Sequence, residues 1–229
     1  MSADLRLGRW QNVLADVECD AWIADPPYSE RTHAGQVAKL SLGSSNDGGV
    51  RTELGYDPIE EAEVHRIVES WSPRTRGWMV VFSDTDQAPW WREALLAAGR
   101  YVFSPLPVID IGSTVRMTGD GPSSWTTWLT VARPGSLARW GTLPGCYLRS
   151  EGDPRSPRRG GKPLGVMRAI VRDYSRRGDR VCDPYAGGAT TLLAALMEDR
   201  EAVGSECDPK AHADALARLA RGYTRDLFA

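Results

Sequence analysis

The stretch from Arg180 to Glu206 constrains the fold of this chain more than any other. Arg180-Val181-Cys182 is short, apolar and β-prone, Asp183 to Thr191 contains Gly187 and Gly188, Leu192 to Met197 favours helix, and Ala202-Val203-Gly204 returns to strand. Strand, glycine loop, helix and strand make a βαβ unit, which puts two parallel strands in one sheet with a helix across its face. Two glycines between strand and helix let backbone approach a ligand closely, while the helix N-terminus supplies free N–H groups and positive potential. Glu206 stands at the tip of the second strand, 23 residues after Asp183. That is close to the roughly 20 residues at which an acid accepts the two hydroxyls of a ribose. The same glycines are also compatible with an ordinary strand-to-helix turn.

The loop has no phosphate-loop lysine and its glycines do not follow the dinucleotide spacing, so a nucleoside without phosphate is the better ligand. S-adenosylmethionine fits that description. A second constellation lies near the other end, where Ala21-Trp22-Ile23-Ala24 runs into Asp25-Pro26-Pro27-Tyr28. A short apolar run closed by two prolines predicts a buried strand ending in a rigid loop, and ligand sites of open α/β sheets lie at such strand ends. The prolines donate no N–H, so their carbonyls remain acceptors, and their fixed φ angles hold Asp25 and Tyr28 in one relative geometry. A carboxylate, a carbonyl and a ring together can hold a planar amino group. Alternatively, the tetrapeptide is a proline turn whose Asp caps a local backbone group.

Between these ends the pattern predicts one α/β domain over residues 1–229. Residues 29–56 include Ser44-Ser45-Asn46-Asp47-Gly48-Gly49 and read as a mobile loop beside the site. Asp57-Pro58 reads as a helix start, with Ala62, Ile67, Val68 and Trp71 as the buried stripe. A buried strand at 77–82 and a helix at about 88–98 follow, the helix stopped by Gly99. Residues 101–111 and 125–132 read as antiparallel strands. The Gly/Pro/Arg-rich stretch 134–161 reads as a small target-recognition insertion with little regular structure. Pro163 opens a helix with Met167, Ile170, Val171 and Tyr174 on one face, closed by Gly178.

Formal net charge is −2, but Arg149 to Arg180 holds ten Arg or Lys against four acids, so a local basic face is expected. Arg155, Arg158 and Arg159, in a Pro/Gly-rich loop, suit phosphate contact, and Arg116 is a further candidate; each also suits a solvated surface charge. The four cysteines and three histidines show no zinc-type spacing, so reduced, mostly buried thiols and no metal are expected. No apolar stretch reaches the roughly 20 residues of a membrane span and no signal core opens the chain, which predicts a cytoplasmic protein without membrane contact.

Taken together, the two constellations resemble the DNA amino-methyltransferases, the family that methylates N6 of adenine or N4 of cytosine with S-adenosylmethionine. Asp25-Pro26-Pro27-Tyr28 resembles its catalytic motif, and Asp183-Pro184-Tyr185-Ala186-Gly187-Gly188-Ala189-Thr190-Thr191 resembles its D-P-F-x-G-S-G-T-T cofactor loop. Ala189 replaces the usual second glycine, and Gly188 stands where Ser is common. Lys162-Pro163 resembles the K-P element near the cofactor's carboxylate end, and Gly204, Glu206 and Asp208 match G-x-E-x-D.

The order, catalytic motif before cofactor loop, is the β-type circular permutation. The resemblance implies a Rossmann-like methyltransferase fold, a mixed sheet with helices on both faces. It further implies cofactor contacts from Gly8, Arg9 and Trp10, from Lys162 and Pro163, from Asp183 through Gly188 with Thr190 and Thr191, and from Glu206 and Cys207. It implies duplex DNA as partner, with the target base flipped out of the helix. Asp at the first motif position favours adenine in this family. The alternatives are N4-cytosine, an RNA or other amine, or a catalytically silent nucleic-acid-binding partner.

Overall fold

Within Cys19–Ala24 (β2), Ala21 and Ile23 enter one apolar cluster while Trp22 and Ala24 enter another. Thr75–Ser83 (β3) divides in the same way, Trp78, Val80 and Phe82 against Met79 and Val81. Strands apolar on both sides must be covered on both, which requires a three-layer α/β arrangement. The computed structural model, describing residues 2–30, 32, 57–112, 122–137, 140–150, 153 and 161–221, shows that arrangement. Its further strands are β1 (Ala3–Leu7), β4 (Arg100–Val102), β5 (Leu106–Ile109), β6 (Thr126–Pro134), β7 (Tyr147–Leu148), β8 (Arg180–Asp183) and β9 (Glu201–Glu206).

The sheet runs β1-β9-β8-β2-β3-β6-β5-β7, with β4 also paired to β6. The pairs from β1 to β3 are parallel, β6 is antiparallel to β3 and to β5, and β7 is parallel to β5. One face is covered by α4 (Leu164–Tyr174), α5 (Thr190–Met197) and α6 (Pro209–Arg221), the other by α1 (Trp10–Val13), α2 (Glu61–Trp71) and α3 (Ala88–Ala97). On the second face Trp22 lies between Trp71 and Trp91, ring centroids 6.4 and 6.1 Å away.

Connectivity defines the site. The chain leaves β2 for β3 on one side and leaves β8 for β9 on the other, so the adjacent carboxyl ends of β2 and β8 form a topological switch point. Asp25 follows β2 and Asp183 ends β8. The two constellations, about 160 residues apart in sequence, therefore meet at one crevice.

Several boundaries differ from the sequence expectation. The helix expected from Asp57-Pro58 begins at Glu61, and its buried stripe is Val64, Ile67, Val68 and Trp71; Ala62 faces solvent. The α4 helix ends at Tyr174, with Gly178 in the following turn at φ 87°. Thiol burial is split, with Cys19 and Cys182 buried and Cys146 and Cys207 exposed. Of the tryptophan pair on α3, Trp91 is core and Trp90 packs partly against it.

The described residues of stretch 134–161 are more tied down than its composition implies. It contributes β7, Trp140 Nε1 donates to the Asp173 carbonyl at 2.6 Å, and Tyr147 hydroxyl donates to Asp173 Oδ2 at 2.8 Å. Arg176 stacks on Trp140 at 3.8 Å, so it is no merely solvated charge. Both oxygens of Asp153 accept the Gly165 N–H at the start of α4, at 2.9 and 3.0 Å. Position 31 and residues 33–56 of the expected mobile loop lie outside the described residues. Among those described, no helix is long and apolar enough to cross a membrane and no cluster of metal-ligating side chains occurs.

Candidate active site

Beyond β2 the chain turns through Asp25-Pro26-Pro27-Tyr28 into a corner held from three directions. Tyr28 hydroxyl donates to Asp25 Oδ1 at 2.9 Å, closing the motif on itself. Lys162 Nζ, from just before α4, donates to Asp25 Oδ2 at 2.5 Å. Gln87, fully buried at the start of α3, donates from Nε2 to the Pro27 carbonyl at 3.1 Å. The segment after the motif is fixed by Asp84, whose Oδ2 accepts the Ser29 N–H at 3.1 Å, the Ser29 hydroxyl, and the Thr32 hydroxyl at 2.6 Å. Asp84 Oδ1 accepts the N–H groups of Asp86 and Gln87 at 3.1 and 2.9 Å, so one carboxylate ties the segment after Tyr28 to the start of α3. Burial works against ionising Asp84, but these hydrogen bonds outweigh it and hold its pKa below the usual value.

Asp84→Ala should therefore lower stability by about 3 kcal/mol, since a helix cap and several part-buried hydrogen bonds go together. In thermal unfolding this corresponds to a Tm lower by roughly 10 °C. A fall under about 2 °C would show that Asp84 does not anchor the corner.

Across the crevice, Asp183 is 2% exposed and accepts the Tyr185 N–H at 3.0 Å and a hydrogen bond from the Thr191 side chain. Gly187 takes φ 52° in the following loop. Ala189 also lies in the left-handed region at φ 58°, ψ 32°, a conformation that costs an L-residue about 1–2 kcal/mol. A backbone conformation that glycine adopts without strain is thus held here by an alanine at the N-cap of α5. Gly204 in β9 is required for another reason, because a Cβ there would come within 2.6 Å of the Asp183 carbonyl oxygen. Glu206 ends β9, with its Oε1 accepting the Asp208 N–H at 2.8 Å.

Burial pushes the Asp183 carboxyl up to about 7, and the charges of Asp25 and Glu206 add to the shift. Burial likewise raises the Tyr28 hydroxyl well above its ordinary value, followed by the Asp25 charge and their hydrogen bond. Three carboxylates thus converge on one crevice with Lys162 beside them. Such a site complements a cationic ligand.

The remaining expected residues are arranged around this crevice with differing freedom. Gly8 donates its N–H to the Glu206 carbonyl at 2.9 Å, Arg9 is exposed, and its charge acts on the exposed Cys207. Trp10 is largely core: it packs 5.8 Å from Trp71, and its Nε1 donates to the Tyr185 hydroxyl at 3.0 Å. Pro163 is buried at the N-cap of α4, and Ser205 Oγ donates to the Pro184 carbonyl at 2.9 Å. Ala186 is buried, its N–H bonded to the Ser205 carbonyl at 3.0 Å. Arg116, Arg155, Arg158 and Arg159 lie outside the described residues.

Sequence reasoning did not identify Asp84, Gln87 or Arg218. Arg218 on α6 donates to the Gly188 carbonyl at 2.6 Å and to Thr190 Oγ1 at 2.8 Å, bracing the glycine loop from behind. For Asp84 a signal existed, since an Asp in a turn before a helix accepts backbone N–H groups a few residues on, while nothing comparable marked Gln87. For Arg218 none did.

A DNA methylase family model matches residues 145–217, which span α4, the glycine loop and β9. Comparison with curated proteins finds no match. Among solved structures, the M1.HpyAVI complex with SAM is 19% identical with a TM-score of 0.69, covering 95% of this chain and 99% of that one. TTHA0409 of Thermus thermophilus, assigned as a DNA modification methylase, is 20% identical with a TM-score of 0.64 and 97% coverage of both chains. PvuII DNA methyltransferase, which is cytosine-N4-specific, is 14% identical with a TM-score of 0.65, covering 95% of this chain and 86% of its own. Residues 145–217 thus match the DNA methylase family model, on a chain that over nearly its whole length shares the fold of these solved structures.

Proposed function

We propose that this chain is a DNA methyltransferase that transfers a methyl group from S-adenosylmethionine to N6 of adenine in duplex DNA. The observation that carries the reading is the meeting of the Asp25 corner with the Asp183 loop and Glu206 across one crevice. The chain's residues fit the cofactor: Gly187 leaves room for close approach, the N-terminus of α5 faces the loop, and three carboxylates favour a sulfonium cation. In this reading Glu206 accepts the ribose hydroxyls, Gly8, Arg9, Trp10 and Cys207 border the adenine ring, and Lys162, Pro163 and Asp183 through Thr191 line the remainder. When bound, the cofactor supplies an electrophilic methyl group.

An exocyclic amine conjugated with its ring is a weak nucleophile. Asp25 and the Pro26 carbonyl would accept its N–H bonds and direct the nitrogen lone pair at the methyl carbon, while Tyr28 stacks on the base. The C–N bond would form at the expense of the cofactor's S–CH3 bond, and the proton shed by the amine would pass along its hydrogen bond to Asp25 and from there to water. No covalent enzyme intermediate is needed. Stretch 134–161, whose Trp140, Tyr147 and Asp153 bond to α4, is the target-recognition element of this proposal, and Arg116, Arg155, Arg158 and Arg159 its phosphate contacts.

The second reading is N4-cytosine on the same scaffold, favoured by the fold shared with the PvuII enzyme. Incubation with labelled S-adenosylmethionine and unmodified genomic DNA, followed by nucleoside mass spectrometry, separates the two. N6-methyladenine is expected; N4-methylcytosine would transfer the assignment to cytosine, and no labelled base would overturn both. Modified-base sequencing of the same product gives the target site.

A further inference from the structure

Lys162 Nζ reaches Asp25 Oδ2 at 2.5 Å and lies 5.2 Å from the centroid of the Tyr28 ring and 4.9 Å from that of Phe82. A carboxylate acceptor beside an aromatic face is what the corner would offer an exocyclic amine. The ammonium presents the same chemistry, N–H donors for the carboxylate and a cation for the rings. We propose that Lys162 occupies the target-amine position in the DNA-free protein and acts as an internal competitor that the entering base must displace. The inference rests on the reading of Asp25 and Tyr28 as the amine-holding corner.

The local structure makes the competition strong. Lys162 is tethered by Pro163, the N-cap of α4 at φ −59°, ψ 137°, so its backbone is fixed and its ammonium is delivered to one place. The Lys162 and Asp25 side chains are only 13% and 25% exposed, and the other Asp25 oxygen already accepts from Tyr28. Little room remains for a base to be added on top of the lysine. The four-carbon stem nevertheless has rotamers by which to leave.

Selectivity follows from what replaces it. A base edge with an amino group restores N–H donors to Asp25 when the ammonium departs. An edge with only a carbonyl would set acceptor against carboxylate and leave Lys162 in place. Lys162 is in this sense a specificity-determining residue, excluding bases without an amine before any chemistry. Once released, the ammonium needs another anion, either the carboxylate of the cofactor or a phosphate of the DNA.

Lys162→Met keeps the length of the side chain and removes its charge. An ion pair at this exposure is worth about 1 kcal/mol, so at saturating S-adenosylmethionine the apparent KM for unmodified genomic DNA should fall about fivefold, the opposite sign to that expected from the loss of a binding contact. A lower kcat at unchanged KM would place Lys162 in the chemical step and overturn the proposal.

Nitrogen-15 NMR of lysine ammonium groups tests the same claim without turnover. The Lys162 signal, assigned by its loss in Lys162→Met, should be perturbed in Asp25→Asn and released in the wild-type protein by duplex DNA carrying the modified site together with sinefungin. Arms with sinefungin alone and DNA alone show whether carboxylate or phosphate receives it. A Lys162 signal unchanged in the ternary mixture would overturn the proposal. Absence of any methylated base with wild-type protein would instead overturn the functional reading.

Discussion

Asp25→Asn is expected to reduce methyl transfer by about a thousandfold or more while changing the dissociation constant for S-adenosylmethionine less than threefold. Asp25 follows β2 and Asp183 ends β8, so the residue proposed to hold the amine and the loop proposed to hold the cofactor belong to different strands of the switch point. Asn keeps one acceptor oxygen and the shape of the side chain but removes the charge and offers N–H where the amine itself must donate. The lone pair of the amine is then no longer held in line.

Alanine is the poorer probe. It would leave Lys162, only 13% exposed, without its counter-ion and Tyr28 without its acceptor, so lost stability would be mixed with lost chemistry. Turnover with labelled cofactor and titration calorimetry of cofactor binding measure the two effects separately. Calorimetry showing affinity lost along with turnover would refute the division of roles between Asp25 and the glycine loop.

Both halves of this site were legible in the sequence because each is local. Asp25-Pro26-Pro27-Tyr28 fixes its own geometry through two prolines, and the β8 loop announces itself by glycines between a strand and a helix. The fold was legible for a similar reason, since the apolar run of β2 and the periodic face of α4 report local burial. What joins the halves was not. The Lys162–Asp25 contact spans 137 residues, the Gln87–Pro27 contact 60, and the brace from Arg218 to Gly188 30, and no spacing rule links residues across different strands. The K-P resemblance did single out Lys162, but for the cofactor side, whereas its ammonium reaches the Asp25 carboxylate. Residues 134–161 read as unstructured because Gly, Pro and Arg carry no periodicity. The described residues Trp140, Tyr147 and Asp153 are held by tertiary anchors, the first two on Asp173 and the third on α4, which composition cannot express.

Asp183 supplies the other large effect, a dependence of stability on pH. Its carboxyl ordinarily titrates at 3.8, and burial, aided by the charges of Asp25 and Glu206, pushes it up to about 7 in the folded protein. Between those values the folded state holds a proton that the unfolded state has released. The contribution of this group to stability is therefore fully present below 3.8, declines as pH rises, and is lost above about 7. At 1.36 kcal/mol per pH unit the whole effect is about 4 kcal/mol. Asp20 and Asp84, whose values are lowered, act in the opposite direction at lower pH, so wild type alone would show only the sum.

The comparison with Asp183→Asn isolates the effect. Asn fills the same volume and can still accept the Tyr185 N–H, but it carries no charge to desolvate at neutral pH. Denaturant unfolding at pH 4.5 and pH 8 should show the variant gaining on wild type by about 3–4 kcal/mol between the two. A constant difference across that range would mean that Asp183 is ionised in the folded protein throughout. A cationic cofactor should draw the same proton off, because a sulfonium in the crevice stabilises the carboxylate that Asp25 and Glu206 disfavour. Affinity for S-adenosylmethionine is accordingly expected to rise with pH up to about 7 in wild type and to stay level in Asp183→Asn, as measured by calorimetry.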